Sequence, residues 1–488
     1  MKIWFFGGVD EIGGSKFLID SGDTKIFLDF GRSYSKEGAY YSFPDMPRSI
    51  DELIGIQALP KSQYQDLNLD GLYSSLSIPF NESDIENEPE PPVSAIFLSH
   101  VHTDHYQYIS LLNRRIPIYV GECGLNILSF KRVTERRTLL SNYSYIDFKQ
   151  VSSFKKIKID DLRIIPIHVD HSIPGAYGFI IEGSDGVIAY TGDFRRHGFK
   201  PELTDDFINR MLEYDSIDAL LCEGTHIAES DFSSENEVKT KINEIVSKSK
   251  QLIIGDFSDT DFDRFRTYYE AAKHNNRRLV ISLKQAIIFM AMNLCRGLEN
   301  PNILKDELIC ILEPEKLRYS NWEKLFLAFL KGEIDKSYFP DDENWYWIKK
   351  KISKRTFLTE SRLISIRALS QEPDKYIFLT SFRTLADLRQ IKPPGGSIYI
   401  LSTSEPFNEE RELKYEKLLN WLEFFGMPLI KAHASGHATP IDIKDMITKV
   451  NPKKLIPIHT VHPKMFQNMF KESKIDVVAP KLGECIKI

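Results

Sequence analysis

Four side chains that can bind a metal ion fall within six residues, directly after a short apolar segment. The segment Val93–Phe97 is followed by His100, His102, Asp104 and His105. Alternate residues of an extended strand share one face, so His100 and His102 can turn to the same side. Imidazole and carboxylate ligands suit zinc, manganese or iron, and their desolvation is costly unless a cation compensates it. The stretch therefore predicts a site for two adjacent metal ions, with a histidine-rich surface loop as the alternative.

The bulk composition is that of a globular chain. Its 488 residues, 42% of them hydrophobic and 27% charged, suffice for roughly two or three domains. The formal net charge of -6 gives no general attraction to nucleic acid, so a polyanionic substrate must be held by local basic groups or by metal ions. Five scattered cysteines without a CxxC pair favour a reducing, cytoplasmic environment, and no apolar run predicts a signal peptide or a membrane span.

The order of predicted strands and helices indicates two interleaved domains. Residues 1–228 read as a β-rich domain in which polar residues follow apolar strands, with residues 32–92 as an insertion. Over residues 229–415, helices and strands alternate in the manner of a doubly wound α/β domain. Residues 416–488 are expected to return to the first domain.

Half of the histidines stand at predicted strand exits. Of twelve in the chain, these six are His100, His102, His105, His171, His437 and His459. Together with Asp104 and Asp193 they can supply a dinuclear site, in which a carboxylate is the natural bridge. Two metal ions about 3.5–4 Å apart can stabilise both the attacking and the leaving oxygen of an in-line displacement, which suits phosphodiester hydrolysis. Any one histidine alone is better explained as structural, but the set together indicates a metal site.

Two carboxylates at strand ends can support such ligands. A ligand imidazole needs a partner for its other ring nitrogen, and Asp29 and Glu223 each follow an apolar strand. A histidine that binds no metal and has a pKa near neutrality is suited to protonating a leaving oxygen. His168 and His226 also lie close to predicted site residues. The spacing favours His171 over His168 as a ligand, so we expect His168 and His226 to be structural or to support ligands.

These motifs, in this order, resemble those of the metallo-β-lactamase superfamily and, within it, the β-CASP nucleases, most closely the ribonuclease J-like members. The resemblance runs nearly from end to end of the chain, through Asp29, His100-Val101-His102-Thr103-Asp104-His105, His171 in His-Ser-Ile-Pro, Asp193 in Thr-Gly-Asp-Phe, Glu223, His437 in His-Ala-Ser-Gly-His and His459 in Pro-Ile-His. It implies an α/β fold, namely an αββα sandwich with an inserted doubly wound α/β β-CASP domain.

The resemblance also implies which residues hold the metal ions. One zinc ion would be held by His100, His102 and His171. The other would be held by Asp104, His105 and His459, and Asp193 would bridge the two. The carboxylates Asp104 and Asp193 would thus serve catalysis as well as metal binding. The expected cofactor is two zinc ions, with manganese as the alternative metal.

Five further residues receive roles by the same resemblance. Glu223 would serve catalysis by orienting a ligand histidine, and Asp29 would lie behind the ligands in the same way. His437 would act near the scissile phosphate as an acid or charge stabiliser. His433 and Ser435 would bind an RNA phosphate.

Three stretches differ from the usual ribonuclease J pattern. Val101 stands where those proteins usually have glycine, Thr460-Val461 replaces a Gly-Glu pair, and Ser381-Phe382-Arg383-Thr384 replaces a glycine-rich loop. They fall around the expected substrate channel, so they bear on substrate choice and on exonuclease mode.

The function implied by the resemblance is zinc-dependent hydrolysis of RNA phosphodiesters, mainly as a 5′-to-3′ exonuclease, with endonuclease cuts as a further activity. The alternatives are a DNA nuclease with the same site, a lactonase- or thioesterase-like hydrolase, and a scaffold subunit without catalysis. The inserted domain and His437 argue against the small-ester hydrolase, and the complete ligand set argues against the scaffold. The expected partner is single-stranded RNA, with DNA and a homodimer as alternatives, in the cytoplasm and away from membranes.

Overall fold

Two compact units make up the part of the chain that the structure describes. The computed structural model describes residues 1–64, 66–76, 82–135, 138–229, 233–298, 301–313, 320–340, 345, 349, 358–380, 385–404 and 409–488. The first unit, here called the sandwich unit, consists of Met1–Leu125, Arg136–Phe232 and Gly436–Ile488. The second, the inserted unit, consists of Asn126–Glu135 and Ser233–Ser435.

Most of the regular elements up to residue 223 are strands. The strands are β1 (Lys2–Phe5), β2 (Phe17–Asp20), β3 (Lys25–Leu28), β4 (Gln63–Tyr64), β5 (Leu67–Asn68), β6 (Ala95–Phe97), β7 (Ile118–Gly121), β8 (Phe148–Val151), β9 (Ile157–Ile159), β10 (Leu162–Val169), β11 (Ala176–Gly183), β12 (Gly186–Tyr190) and β13 (Ala219–Glu223). The helices are α1 (Tyr34–Gly38), α2 (Ile50–Gly55), α3 (Thr103–Tyr106), α4 (Glu122–Thr134) and α5 (Pro201–Leu212).

Helices and strands then alternate through the inserted unit, and the chain ends with elements of the sandwich unit. The inserted unit has strands β14 (Ile253–Asp256), β15 (Arg278–Ile281), β16 (Ile309–Glu313), β17 (Leu363–Ser365), β18 (Tyr376–Thr380), β19 (Ile398–Leu401) and β20 (Leu429–Lys431). Its helices are α6 (Glu235–Lys248), α7 (Phe262–His274), α8 (Leu283–Met292), α9 (Asn321–Leu330), α10 (Ala368–Gln371), α11 (Leu385–Ile391) and α12 (Glu409–Phe425). The final elements are α13 (Pro440–Val450), β21 (Lys454–Ile458), α14 (Pro463–Met469), β22 (Asp476–Val477) and β23 (Cys485–Lys487).

Two sheets face each other in the sandwich unit. Among its described residues, one sheet has the strand order β23-β1-β2-β3-β6-β7-β8 and the other β22-β21-β13-β12-β11-β10-β9. Apolar side chains of both sheets, such as Phe97 and Ile181, share one buried core. A second core covers the other face of the second sheet, where Phe207 of α5, Met446 of α13 and Phe466 of α14 are buried. The predicted αββα sandwich is confirmed, and burial of these apolar faces is its main source of stability.

Strand direction explains why functional residues gather at one edge of the sandwich unit. Because β10 and β12 are both antiparallel to β11, they run in the same direction, and β13 and β21 continue parallel to β12. Their C-terminal ends therefore meet at one edge of the sheet. The residues at or just beyond those four ends are His171, Asp193, Glu223 and His459.

The inserted unit is the predicted doubly wound α/β domain. Its described strands follow the order β17-β16-β15-β18-β14-β19-β20, and every neighbouring pair is parallel. Its core contains Ile254, Phe378 and Tyr399 of the sheet. Strands covered on both faces need apolar residues along most of their length, as in Tyr-Ile-Phe-Leu of β18.

The compact units divide the chain at residues other than those predicted from the sequence. From the sequence, the chain is expected to return to the first domain at residue 416. Helix α12, however, buries Leu418 and Leu422 in the core of the inserted unit, and β20 pairs with β19 in its sheet. The inserted unit accordingly extends to Ser435, and it also includes Asn126–Glu135 of the α4 region. Helical periodicity shows that a helix has an apolar face, but not which sheet that face covers.

No helix among the described residues is long and apolar enough to cross a membrane.

A buried carboxyl group in the inserted unit makes its stability depend on pH. Asp256 ends β14, is fully buried, and accepts a hydrogen bond of 2.7 Å from the Tyr399 hydroxyl. Burial raises the pKa of Asp256 to about 7, although the hydrogen bond from Tyr399 lowers it. Since the folded-state pKa exceeds the ordinary value of 3.8, this group favours folding fully below about pH 4 and loses that contribution as the pH rises to about 7.

Asp256→Asn is therefore expected to raise the Tm by a few degrees at pH 8 and by much less at pH 5. The amide keeps the shape of the side chain and has no charge to desolvate. Thermal unfolding followed by calorimetry at pH 5, 6, 7 and 8 measures the difference between variant and wild type. A difference that stays constant across this range would contradict the prediction.

Candidate metal centre

The edge of the sandwich unit gathers every predicted metal ligand. Ligand atoms within 4.8 Å of one another define four overlapping groups: His100, His102 and His171; His100, His105 and Asp193; Asp104, His105 and His459; and Asp193, Glu223, His437 and His459. The second group shares His100 with the first and His105 with the third. The ligand atoms therefore form one continuous cluster with room for adjacent ions.

The first group has the spacing of ligands around a single ion. His102 Nδ1 lies 3.0 Å from His100 Nε2 and 3.0 Å from His171 Nε2. A tetrahedral zinc ion bound at 2.0–2.1 Å would hold such nitrogens about 3.3 Å apart. The three imidazoles therefore fit one zinc ion.

Hydrogen bonds to the Nδ1 atoms of His171 and His100 fix the tautomers in which their Nε2 atoms can bind the ion. The His171 Nδ1–H donates to the Gly436 carbonyl oxygen, and His100 Nδ1 lies 3.0 Å from the Ser99 hydroxyl. Both rings thus turn Nε2 toward the cluster. Gly436 is required for this contact, because a Cβ there would stand 2.8 Å from His171 Cε1.

Burial keeps the ligand imidazoles of the first group neutral. It lowers the pKa of His102 to about 4, and burial with neighbouring histidines lowers the pKa of His100 and His171 well below the ordinary value. Metal ligation needs the neutral form of histidine, so the low pKa values agree with the ligand assignment.

The second and third groups together place two carboxylates between imidazoles. His459 Nε2 lies 3.2 Å from Asp104 Oδ2, and His105 Nε2 lies 3.1 Å from Asp193 Oδ2. Asp193 Oδ2 is also 3.7 Å from His100 Nε2, so this oxygen lies between the first and third groups, where a bridging ligand would stand. His105 Nε2 is buried, and no group among the described residues forms a hydrogen bond of good geometry with it. A buried nitrogen and two carboxylates converging on one point fit a second cation.

Asp29 holds His105, which the second and third groups share, through the ring nitrogen that faces away from the cluster. It follows β3 with φ 59°, and it accepts hydrogen bonds from His105 Nδ1 at 2.7 Å and from the Ser99 backbone N–H at 2.6 Å. The hydroxyls of Ser99 and Tyr190 donate to its Oδ2. Since His105 gives its Nδ1 proton to this carboxylate, its Nε2 is left to face Asp104 and Asp193.

Asp29→Asn is expected to weaken binding of an ion at His105 by roughly 10- to 100-fold, the usual effect of losing a partner behind a ligand histidine. Asparagine accepts the left-handed backbone at this position, but its amide nitrogen cannot accept the protons offered to the carboxylate. Competition titration with a chelator measures the affinity. The matched control is Asp23→Asn, a substitution at an exposed carboxylate in the turn between β2 and β3. Equal affinities in the two variants would contradict the role of Asp29.

Glu223 contacts His437 more directly than it contacts a ligand histidine. Its Oε1 accepts backbone N–H groups of Phe194 and Ala438 at 3.3 Å each and lies 3.4 Å from His437 Nδ1. Its Oε2 accepts the Thr225 hydroxyl at 2.8 Å, and that hydroxyl is 2.8 Å from His459 Nδ1. The expected support of a ligand histidine therefore runs through Thr225.

His437 stands beside the cluster with part of its ring accessible. Its side chain is 20% exposed, and its Nδ1 is 3.7 Å from Asp193 Oδ2. Burial lowers its pKa, but the carboxylates of Glu223 and Asp193 outweigh that effect and raise the pKa to about 9. His437 therefore carries a proton at neutral pH beside these carboxylates.

The remaining sequence expectations lie outside the cluster. The ring of His168 packs on that of Tyr177, with centroids 4.2 Å apart, and His226 Nδ1 lies 2.6 Å from Glu229 Oε1. His433 and Ser435 belong to the inserted unit, and their contact with an RNA phosphate stays a prediction.

The structure describes two of the three stretches that differ from the usual ribonuclease J pattern. Val101 is buried, as is Thr460, and Val461 is half-exposed. Residues 381–384 lie outside the described residues.

Three residues of the site were missed by the sequence analysis. They are Ser99, Tyr190 and Thr225, which hold Asp29, His100 or His459 through hydroxyl groups. The only sequence signal was their position at strand exits next to predicted ligands, and a hydroxyl residue there is too common to be distinctive.

The αββα sandwich with a histidine and carboxylate cluster at its strand exits defines a metal-dependent hydrolase of the metallo-β-lactamase class. Comparisons with known proteins agree. The family model described as beta-lactamase superfamily domain matches residues 79–247, and that described as Zn-dependent metallo-hydrolase RNA specificity domain matches residues 429–480.

Relatives over nearly the whole chain make the family more specific. Ribonuclease J of Mycoplasma pneumoniae is 25% identical over 490 residues, covering 97% of this chain and 71% of that protein. Ribonuclease J 2 of Streptococcus pyogenes is 23% identical over 470 residues, covering 94% and 69%. A crystal structure of a protein of unknown function from Enterococcus faecalis has the same fold, with a TM-score of 0.73, 21% identity and 99% of both chains covered. The chain is thus similar to the metallo-β-lactamase superfamily in its domains and to ribonuclease J proteins over nearly its whole length.

Proposed function

We propose that this chain is a zinc-dependent ribonuclease that hydrolyses phosphodiester bonds of single-stranded RNA with two metal ions, acting mainly from the 5′ end and also at internal bonds. The observation that carries the proposal is the pair of ligand groups joined at Asp193, with a protonated histidine, His437, at their side. Neither a lone metal site nor a lone histidine would supply both stabilisation of charge and a proton.

RNA is favoured as the substrate by two of the comparisons. The family model that matches residues 429–480 is described by RNA specificity, and that range contains His437 and His459. Relatives over 94–97% of the chain bear the name ribonuclease J. The choice of zinc over manganese rests on the ligands, because five expected imidazole ligands in one cluster suit zinc better than an oxygen-preferring ion.

The side chains of the site divide the work of hydrolysis. Bound zinc ions would act as Lewis acids on the phosphate and would stabilise the charge that develops on the attacking and leaving oxygens. Asp193 and Asp104 hold the two ligand groups together and supply the negative charge that retains the cations. His437 turns its Nδ1 toward Glu223 and Thr225, so its Nε2 is the ring nitrogen that we propose faces the substrate. From there it can donate a proton to the leaving oxygen or stabilise the phosphate.

The chain's free cysteines agree with a cytoplasmic location, which we also propose. Cys123, Cys222, Cys295, Cys310 and Cys485 form no disulfide, as a reducing compartment requires. A homodimer stays a prediction.

The test is cleavage of one end-labelled oligonucleotide, prepared as RNA and as DNA, with a 5′-monophosphate or a 5′-hydroxyl. The zinc-loaded protein is compared with the same protein stripped by a chelator. Release of mononucleotides from 5′-monophosphate RNA, restored by zinc, is the expected result, and internal fragments would add the endonuclease activity. Preferred cleavage of DNA would overturn RNA as the substrate, and no metal-dependent product from either polymer would overturn the nuclease.

A further inference from the structure

We propose that the Thr225 hydroxyl positions a metal ligand, His459, and the neighbouring acid, His437, from a single oxygen atom. Thr225 is a positioning residue, since it contacts these groups and not the reacting phosphate. The inference deepens the proposed function and rests on it for the role of His437, but its effect on metal binding can be measured without any RNA.

Three polar groups converge on this hydroxyl. Thr225 Oγ1 lies 2.8 Å from Glu223 Oε2, 2.8 Å from His459 Nδ1 and 3.1 Å from His437 Nδ1. Thr225 and His459 are nearly fully buried, and Glu223 is fully buried. Water is thus largely excluded from the contacts, and the hydroxyl is the polar group that the two imidazoles share.

The chemistry of a hydroxyl assigns every proton in this arrangement. It has one proton to donate and two lone pairs that accept. An ionised carboxylate only accepts, so the Thr225 proton goes to Glu223 Oε2. The alternative acceptor, the His459 carbonyl oxygen, is farther away at 3.5 Å. Both histidines must then donate their Nδ1–H to the two lone pairs of the hydroxyl oxygen.

A histidine that binds a metal ion is neutral, so His459, with its Nδ1 protonated, carries no proton on its other ring nitrogen, Nε2. The atom lies 3.2 Å from Asp104 Oδ2, so two lone pairs face each other and repel unless a cation lies between them. The hydroxyl of Thr225 therefore sets His459 up as a metal ligand. At the same time it directs His437 Nε2 away from the carboxylates.

The backbone fixes the hydroxyl in this place. The Thr225 N–H also donates to Glu223 Oε2, at 3.1 Å, so the carboxylate binds this residue at two points. Glu223 is held in turn by the N–H groups of Phe194 and Ala438. A preorganised group of this kind costs little to order when a cation binds.

The test is titration of metal-free protein with Co²⁺, followed by visible absorption, and with Zn²⁺, followed by calorimetry. The wild type is expected to bind two ions. Thr225→Val, which keeps the shape and removes the hydroxyl, is expected to weaken the second ion 10- to 100-fold while the first, at His100, His102 and His171, changes less than about threefold. Thr225→Ser is expected to restore the second ion to within a few-fold of wild type.

The control is the same substitution at another fully buried threonine of the sandwich unit. Thr24→Val removes a hydroxyl that lies 3.4 Å from Asp160, and it should leave both affinities unchanged. The inference is overturned if Thr225→Val binds both ions as tightly as the wild type, or if it weakens the binding of both ions equally. It is also overturned if Thr225→Ser weakens the second ion as much as Thr225→Val does.

The link to His437 has its own readout. At Co²⁺ concentrations that saturate both sites, Thr225→Val is expected to cleave RNA with a lower kcat than the wild type. Thr225→Ser is expected to restore the wild-type kcat. Full kcat in the saturated valine variant would overturn the link. If the wild type cleaves no RNA while the valine variant still loses its second ion, the proposed function fails and the positioning of His459 stands.

Discussion

His102→Ala is expected to reduce metal-dependent RNA cleavage by at least about a thousandfold, to the background of chelated protein. The loss should exceed the 10- to 100-fold typical of residues behind the ligands, because His102 is itself an expected ligand. Its Nδ1 lies 3.0 Å from both His100 Nε2 and His171 Nε2. Removing it leaves the ion at His100 and His171 only these two imidazoles and the carboxylate of Asp193, which it would share with the second ion.

The fold should survive this change. His102 precedes α3, and its side chain makes no capping hydrogen bond there. Metal content measured by atomic emission, together with cleavage of the labelled oligonucleotide, tests the prediction on protein whose circular dichroism matches wild type. His168→Ala is the matched control, because this histidine lies on β10 near His171 but packs on Tyr177. A His102 variant with two bound ions and wild-type activity would refute the ligand assignment.

His437→Ala is expected to lower kcat by about 10²- to 10⁴-fold while both ions stay bound. That range is the usual contribution of a positioned acid. His437 is not among the expected ligands of either ion, although its Nδ1 faces Glu223 and Asp193 and it forms the fourth ligand group with them and His459. Its loss removes a proton donor and a positive charge from the side of the cluster, not a ligand.

Single-turnover cleavage and metal content of the same preparation measure this effect. The control is His462→Ala, which removes an exposed histidine three residues beyond His459. Activity equal to wild type in the His437 variant would refute its role as an acid or charge stabiliser. Loss of one ion would instead make His437 a ligand.

The two variants separate the two halves of the proposed mechanism. His102→Ala should lose metal and activity together, whereas His437→Ala should lose activity alone. If both lose metal, the cluster is a single cooperative unit and the division of labour between ions and acid is wrong.

Some contacts in the site escaped the sequence analysis because they depend on distant pairings. Asp29 reaches His105 and Ser99 across 70 or more residues, and Tyr190 reaches Asp29 across 161. Glu223 was expected to orient a ligand histidine, yet it does so only through Thr225. Hydrogen-bond partners of this kind are set by side-chain directions in the packed sandwich, and a linear pattern does not contain them.

The sequence by itself determined the fold class, the strand exits and the candidate ligands. Apolar runs ending in histidine or carboxylate are local signals, because a strand alternates its faces and its polar residues collect where it ends. Only the tertiary structure decided which ends meet. Asp104 and His459 are 355 residues apart, and His171 and Gly436 are 265 apart, yet each pair is in contact. The order of strands in the two sheets brings them together, and that order follows from burial of apolar faces shared by the whole domain. The same is true of α12, whose apolar residues could cover either sheet until packing assigned them to the inserted unit.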